Sequence, residues 1–298
     1  MPRAGRLPAS RTAGIDALVR RALREDRVRA DRTTRAVLPH AALAHARVVA
    51  QARGILSGTD AVRAIAQATG LVVHALRRDG SPVAPGTVVV RLAGDARTIL
   101  AVERTLLNFL MHASGVATAT HRAVAGARGA RPPLAVLATR KTLPGLRDLE
   151  KAAVVDGGGR PHRRDLAAGM LVKNNHLALV PLAEAVRRAR AAAGGRRTVE
   201  VEVRSAAEAR TAARAGADAL LLDNQGPARA RAIVRALTAA GLRDRVAVEL
   251  SGGIGPDDVV CYRGVGADAV SLGALTHSAP ALPFHLRIES ARLRHRRT

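Results

Sequence analysis

The chain has 298 residues, with 48 Lys and Arg against 24 Asp and Glu, a formal charge of +24. Its apolar content of 48% excludes a disordered chain despite that charge, and two Phe, one Tyr and no Trp imply a core of small aliphatic side chains. The single cysteine, Cys261, excludes an intrachain disulfide and a cysteine-based zinc site, and no apolar run reaches the roughly 18 to 20 residues a bilayer span needs.

Met1 to Ser10 contains no apolar signal core. Arg3, Arg6 and Arg11 have the cationic look of a transit peptide, but Asp16, Glu25 and Asp26 soon follow, so a cytoplasmic protein is expected. Ile15–Leu23 and Ala61–Thr69 have helical periodicity, while Ala46–Ala50, Leu71–Leu76 and Val88–Leu92 read as strands. Asp79-Gly80 and Pro85-Gly86 mark turns. A long helix is predicted from Asp95, its N-cap, to Ser114, with Gly115 ending it. Residues 1–114 therefore form an α+β domain.

The second half is rhythmic. Apolar runs at Leu134–Thr139, Met170–Val172, Val199–Val203, Ala219–Leu222, Val246–Leu250 and Ala269–Leu272 read as buried strands. Helices with Pro or Ser starts and Gly stops separate most of them: Pro181–Ala193, Ser205–Ala215, Pro227–Ala240 and Pro256–Arg263. Ala215 to Leu220 and Val265 to Val270 form a short internal repeat, each a helix end, a Gly cap and a strand start. Strands alternating with helices imply a parallel sheet, and six units with room for a seventh fit an α/β barrel over residues 115–277. Residues 278–298 are too few for a further domain and are expected to pack back on the first.

The charge first suggests nucleic acid. Residues 1–35 carry ten Arg against four acids, and the last twelve residues five Arg against one Glu. Yet three aromatics supply no stacking platform, and zinc-finger, RNP-like and basic-zipper patterns are lacking. Only three of the 48 cationic residues are lysines, so the excess reads as a compositional bias towards Arg rather than a ligand site.

Polar residues gather at the predicted strand ends: Arg140-Lys141, Lys173-Asn174-Asn175-His176, Asp223-Asn224, Ser251-Gly252-Gly253 and Gly273, with Glu200 and Glu202 within the third strand. In an α/β barrel these ends converge on one face. Glu200 and Glu202 share a side because side chains alternate along a strand. Pointing inward, two acids require a cation or metal; pointing outward from an edge strand, they require none. Three of the four Asn also lie at strand ends, beside Lys173 or Asp223. In a chain whose default cation is Arg, Lys141 and Lys173 mark places for a compact charge. Glycine-rich turns can bind a terminal phosphate, lysines with Mg²⁺ can neutralise pyrophosphate, and carboxylates can stabilise positive charge on a ribose carbon. These residues therefore suit transfer at a phosphorylated sugar.

Taken in order, longer motifs carry a resemblance. They are Glu103 to Leu110 with Ser114 to Thr118, Thr139 to Arg147, Gly157 to Arg163, Leu171 to His176, Val199 to Val203, Leu222 to Asn224, Glu249 to Ile254 and Ser271 to Ser278. On these the chain resembles quinolinate phosphoribosyltransferases over nearly its full length. The resemblance implies a type II phosphoribosyltransferase architecture: α/β, with an N-terminal α+β open-faced sandwich and an incomplete α/β barrel. It implies transfer from phosphoribosyl pyrophosphate (PRPP) to quinolinate with decarboxylation, in NAD biosynthesis, by a homodimer with its active site at the interface and with Mg²⁺.

By the same resemblance, Arg140, His162, Arg163 and Lys173 hold the carboxylates of quinolinate, joined by Arg104 of the neighbouring subunit. Lys141, Glu202 and Asp223 face ribose and pyrophosphate, with Glu202 and Asp223 holding the Mg²⁺. Ser251, Gly252, Gly273 and His277 line the phosphate pocket. By periodicity alone Arg104, Asn108 and His112 are a solvated helical stripe. Departures from the family pattern fall at Asn174, Ala168, Pro161 and Asp165, the first two replacing acids. They leave room for a paralogue with another acid acceptor, as in molybdenum-operon relatives, or for a lapsed member binding anions or RNA.

Overall fold

The computed structural model describes residues 10–38 and 40–293. Arg3, Arg6 and residues 294–298, part of the expected cationic ends, lie outside the described residues. In chain order the strands are β1 (Ala42–Ala50), β2 (Gly54–Ile55), β3 (Val72–Leu76), β4 (Pro82–Val83), β5 (Val88–Asp95), β6 (Ala135–Leu137), β7 (Met170–Val172), β8 (Val199–Val203), β9 (Ala219–Asp223), β10 (Ala247–Ser251), β11 (Ala269–Ser271) and β12 (Phe284–Leu293). The chain divides into two compact units. One comprises Met1–Thr118, Leu143–Gly157 and Ala279–Thr298; the other comprises Ala119–Thr142 and Gly158–Ser278.

The first unit is built on an antiparallel sheet of order β12-β1-β5-β3. β1 shows why one face is buried: Ala42, Ala44 and Ala46 are buried while Leu43 and His45 between them are exposed. On the exposed side Arg47 stands in register with Arg91 and Arg287, and Glu289 answers two of the three at 2.7 Å (Arg91) and 3.4 Å (Arg47). Ile15, Ile65, Ile99 and Leu110 from three helices fill the core. Among the described residues no helix is long and apolar enough to cross a membrane.

The second unit is a parallel sheet of order β6-β11-β10-β9-β8-β7. Strands β7 to β11 follow one another, and β6 returns beside β11. A closed barrel would also pair β6 with β7. Among the described residues that pairing is absent, so the barrel has an open seam. A single parallel bridge from Leu137 to Arg160 lines the seam on the β6 side: Arg160 N–H donates to Val136 O (2.8 Å), and Ala138 N–H to Arg160 O (2.9 Å). Leu220, Leu222, Val248, Leu250 and Leu272 form the aliphatic interior, each contributing roughly 1.5–3 kcal/mol by burial.

The internal repeat has a structural meaning. Asp218 accepts the Val199 N–H at the start of β8 (2.9 Å), and Asp268 accepts the Val248 N–H in β10 (2.7 Å). Each also takes an arginine, Arg190 and Arg243 respectively. Gly216 and Gly266, at φ +99° and +85°, turn the chain just before them.

Three expectations are corrected. The long helix does not stop at Ser114; it runs Ala96–Ala127 straight through Gly115. A Cβ at Gly115 would sit 2.2 Å from the Pro280 carbonyl oxygen, so this glycine serves close packing rather than termination. Leu143–Gly157 belongs to the first unit instead of the run 115–277. Its Glu150, fully buried, bonds His112 Nε2 (2.9 Å) and the Leu143 N–H (3.1 Å), and the helix Arg147–Asp156 packs on Ser10–Glu25. Pro256–Arg263 is not a full α-helix but a shorter 3₁₀ helix over Asp258–Tyr262, tightened where Asp258 accepts the Gly255 N–H and buried Val259 meets Gly126.

Candidate active site

The carboxyl ends of the parallel strands surround a cavity of about 210 Å³ in the second unit. Of the expected site residues Arg140, Lys141, His162, Arg163, Lys173, Glu202, Asp223 and Ser251 line it, together with Glu249 and Ser271. β6 delivers Arg140 and Lys141, β7 delivers Lys173, and β8, β9 and β10 deliver the acids, because each chain leaves its strand at the same end.

Glu202 is held at both oxygens. Lys173 Nζ donates to Oε1 (3.3 Å) and the Asn174 N–H to Oε2 (2.8 Å). The Asn174 side-chain amide reaches Asp223 Oδ2 (3.4 Å), while its own Oδ1 is buried without a partner. Arg140 Nε is also buried and unpartnered. Burial and the neighbouring Arg140 push Arg163 down from the usual arginine range, partly offset by Glu200 and Glu202. Two guanidinium groups thus share a confined space, the arrangement an anionic ligand relieves.

His162 turns towards the buried acids. Its backbone is left-handed (φ +47°), which sends Nε2 to Glu200 Oε2 (3.5 Å) and Glu249 Oε2 (3.4 Å). Its Nδ1 accepts the Arg163 N–H (2.6 Å). Burial opposes a charged ring, but the two carboxylates raise its pKa to about 9. The Nδ1 contact, by contrast, favours the neutral Nε2–H tautomer. In either state the Nε2–H faces the acids. Glu200 is 7% exposed and Glu249 6%, and burial pushes the Glu200 carboxyl up. The three side chains each offer one donor atom within 4.8 Å of the others.

Just beyond β10, Gly252 and Gly253 adopt φ +90° and +66°. A Cβ on Gly252 would sit 2.7 Å from Asn224 N, and one on Gly273 would meet Lys141 Cδ at 2.8 Å and His277 Nε2 at 2.9 Å. Lacking a Cβ, Gly273 leaves room for the Lys141 and His277 side chains to approach it closely. Ser271 Oγ donates to Ser251 Oγ (2.9 Å), and His277 is exposed with Nδ1 2.6 Å from Ser278 Oγ. Arg104 is not among the cavity-lining residues: it belongs to the first unit, exposed on the long helix with Asn108, while His112 bonds Glu150. Sequence reasoning gave Glu249 no role of its own beyond opening the Glu249–Ile254 motif. Its partner across the barrel, Glu200, carried a signal in the spacing with Glu202.

An open α/β barrel whose strand ends gather Arg, Lys and acids over a glycine-rich turn defines a class of sugar-phosphate-handling fold. The solved structure of NadC from Streptococcus pyogenes superposes with a TM-score of 0.86 at 35% identity, covering 97% of this chain and 99% of that one. The probable carboxylating nicotinate-nucleotide pyrophosphorylase of Archaeoglobus fulgidus is 41% identical over 81% of this chain and 93% of its own length. The human carboxylating nicotinate-nucleotide pyrophosphorylase is 41% identical over 80% of each. Residues 31–114 match the N-terminal domain of quinolinate phosphoribosyl transferase and residues 116–287 its C-terminal domain. The chain belongs to the quinolinate phosphoribosyl transferase family.

Proposed function

We propose that this protein transfers the phosphoribosyl group of PRPP to quinolinate with loss of CO₂, giving nicotinate mononucleotide and pyrophosphate. The observation that carries this reading is the crowding of Arg140 and Arg163, with Arg140 Nε buried and unpartnered, beside Lys173 on one small cavity. Three cations around one pocket suit a small dianion, and guanidinium groups bind carboxylates bidentately.

Arg140, Arg163 and Lys173 hold the acceptor so that its ring nitrogen faces the ribose carbon. The lone pair of that nitrogen forms the new C–N bond while the C–O bond to pyrophosphate breaks, its electron pair leaving with the pyrophosphate. Lys141 neutralises the departing charge, and Glu202 and Asp223 face the positive charge growing on the ribose. The resulting pyridinium accepts the electron pair left behind when CO₂ departs, and a proton then replaces the carboxylate on that ring carbon. Gly252, Gly273, Ser251 and His277 form the turn for the 5′-phosphate.

Mg²⁺ fits the oxygen-rich corner. Glu202 and Asp223 would supply carboxylates, and Asn174 Oδ1, buried without a partner, a neutral oxygen of the kind hard cations take. Bound there, Mg²⁺ would supply charge neutralisation for pyrophosphate. A homodimer completes the site, a second copy contributing the exposed Arg104. We place the enzyme in the cytoplasm.

The test is PRPP-dependent release of CO₂ from carboxyl-labelled quinolinate with Mg²⁺ present. Turnover is expected; its absence in folded protein overturns the reading. Ribosylation of a different pyridine acid would assign another acceptor, and salt-sensitive RNA binding without turnover would favour a lapsed enzyme.

A further inference from the structure

The seam between β6 and β7 is crossed by Pro161–Gly169, a stretch without helix or strand, and this stretch carries Arg163. A guanidinium on an irregular loop cannot hold a carboxylate to within about 0.5 Å unless the loop is itself braced. Within it Arg163 Nη1 donates to Gly169 O (3.2 Å), the Asp165 carboxylate accepts two N–H groups of its own turn, and Arg164 Nη1 lies 3.6 Å from Asp165 Oδ2. His162 reaches outside the loop. It spans to β8 and β10 at once, meeting Glu200 and Glu249 at 3.5 and 3.4 Å. Its other nitrogen takes the Arg163 N–H, so the imidazole is tied to the barrel at one end and to the Arg163 backbone at the other. With both nitrogens engaged inward, the ring has no polar atom left for an acceptor carboxylate.

We propose that Glu200 and Glu249 are positioning residues for the acceptor: through His162 they brace the 161–169 loop in the open seam and so aim Arg163. His162 is a strut, not a substrate ligand. The role of Arg163 rests on the phosphoribosyl-transfer reading above, whereas the brace rests on geometry alone.

Two measurements separate them. The first needs no activity: amide hydrogen exchange across residues 161–169 in the full-length protein. Replacing both acids by the similarly shaped apolar residue, Glu200→Met with Glu249→Met, removes the acceptors without leaving a lone buried charge. Exchange in the loop should accelerate about tenfold while β8 and β10 stay protected, as expected of local opening. Unchanged loop exchange in that variant overturns the brace. Should the double variant misfold, His162→Ala against His162→Gln serves instead, since only the glutamine can still donate to the acids. Loop exchange equally fast in both, or slow in both, overturns the brace.

The second is steady-state kinetics with quinolinate and PRPP. The double Met variant should raise the quinolinate KM about tenfold, with the PRPP KM and kcat within about threefold of wild type. His162→Gln should stay close to wild type and His162→Ala resemble the double variant. A quinolinate KM unmoved by the Met pair, with His162→Gln as damaging as His162→Ala, would make His162 a direct ligand. Absence of quinolinate turnover in the wild type would instead sink the functional reading and leave the exchange result standing.

Discussion

Four carboxylates on β8, β9 and β10 lie around the same end of the barrel, yet two different local chemistries keep them there. Glu202 and Asp223 are partly buried, the Glu202 side chain 12% exposed, and they meet Lys173 and the amides of Asn174. Glu200 and Glu249 lie deeper, under 10% exposed, and answer to the imidazole of His162. Residues 200 and 202 share a strand and a side; one repeat of the pleat separates an acid held by a lysine and an amide from one that faces an imidazole. A carboxylate's surroundings, more than its presence in the cavity, decide what it can do.

The sharpest way to break this contrast is to remove one acid from each pair. Glu202→Ala should lower kcat for PRPP-dependent turnover about 10³-fold, as loss of a group facing developing charge does, with little change in thermal midpoint. Glu249→Gln should leave kcat within a few-fold. Equal losses in kcat would erase the distinction.

A second probe asks what a buried acid does without an imidazole. Asp79, in the first unit, accepts from Thr59 N–H (3.2 Å) and Thr59 Oγ1 (2.9 Å). Burial, then the nearby Asp156, raises its pKa to about 6 from 3.8. A folded-state pKa above the unfolded one means the native state binds the proton more tightly, so this group's contribution is greatest below pH 4. That contribution falls as pH rises through 6. Relative to Asp79→Asn, wild-type stability should therefore drop by about 2–3 kcal/mol between pH 4 and pH 7. Urea unfolding of both proteins across that range measures it; parallel curves would refute the shift.

The smallest effect tests the cationic side of the same cavity. Arg140→Lys keeps the charge but loses the planar fork, and should raise the quinolinate KM about tenfold with the PRPP KM unmoved. A rise in both would mean Arg140 serves the pyrophosphate instead.

Much of the barrel was legible because its strands are unbroken apolar runs closed by glycines, a pattern few other arrangements produce. Glycine itself was the source of the largest misreading. Gly115 looked like a helix stop, and nothing local distinguishes a stop from a glycine that admits the Pro280 carbonyl from far along the chain. The 3₁₀ helix at Asp258–Tyr262 was misread in length for a related reason: proline and glycine flank longer and shorter helices alike. At the site, the strand-end residues could be gathered from sequence because barrel topology gathers them. The orientation of His162 could not, since a left-handed backbone after Pro161 has no residue-type signature. The pairing of Glu200 with Glu249 joins strands whose side-by-side spacing depends on the barrel's curvature.

The sheet orders carry a consequence for how the molecule comes into being. In the first unit β1 pairs with β12, and in the second β6 pairs with β11, so each sheet joins an early strand to a late one. During synthesis β1 and β6 emerge long before their partners, exposing alanine- and valine-rich backbone with unmet hydrogen bonds. Such distant pairing is slow to form and vulnerable to wrong partners in the meantime. Neither sheet can be completed until the ribosome has released Phe284–Leu293 and Ala269–Ser271, which makes the final tenth of the chain the stretch on which productive folding waits.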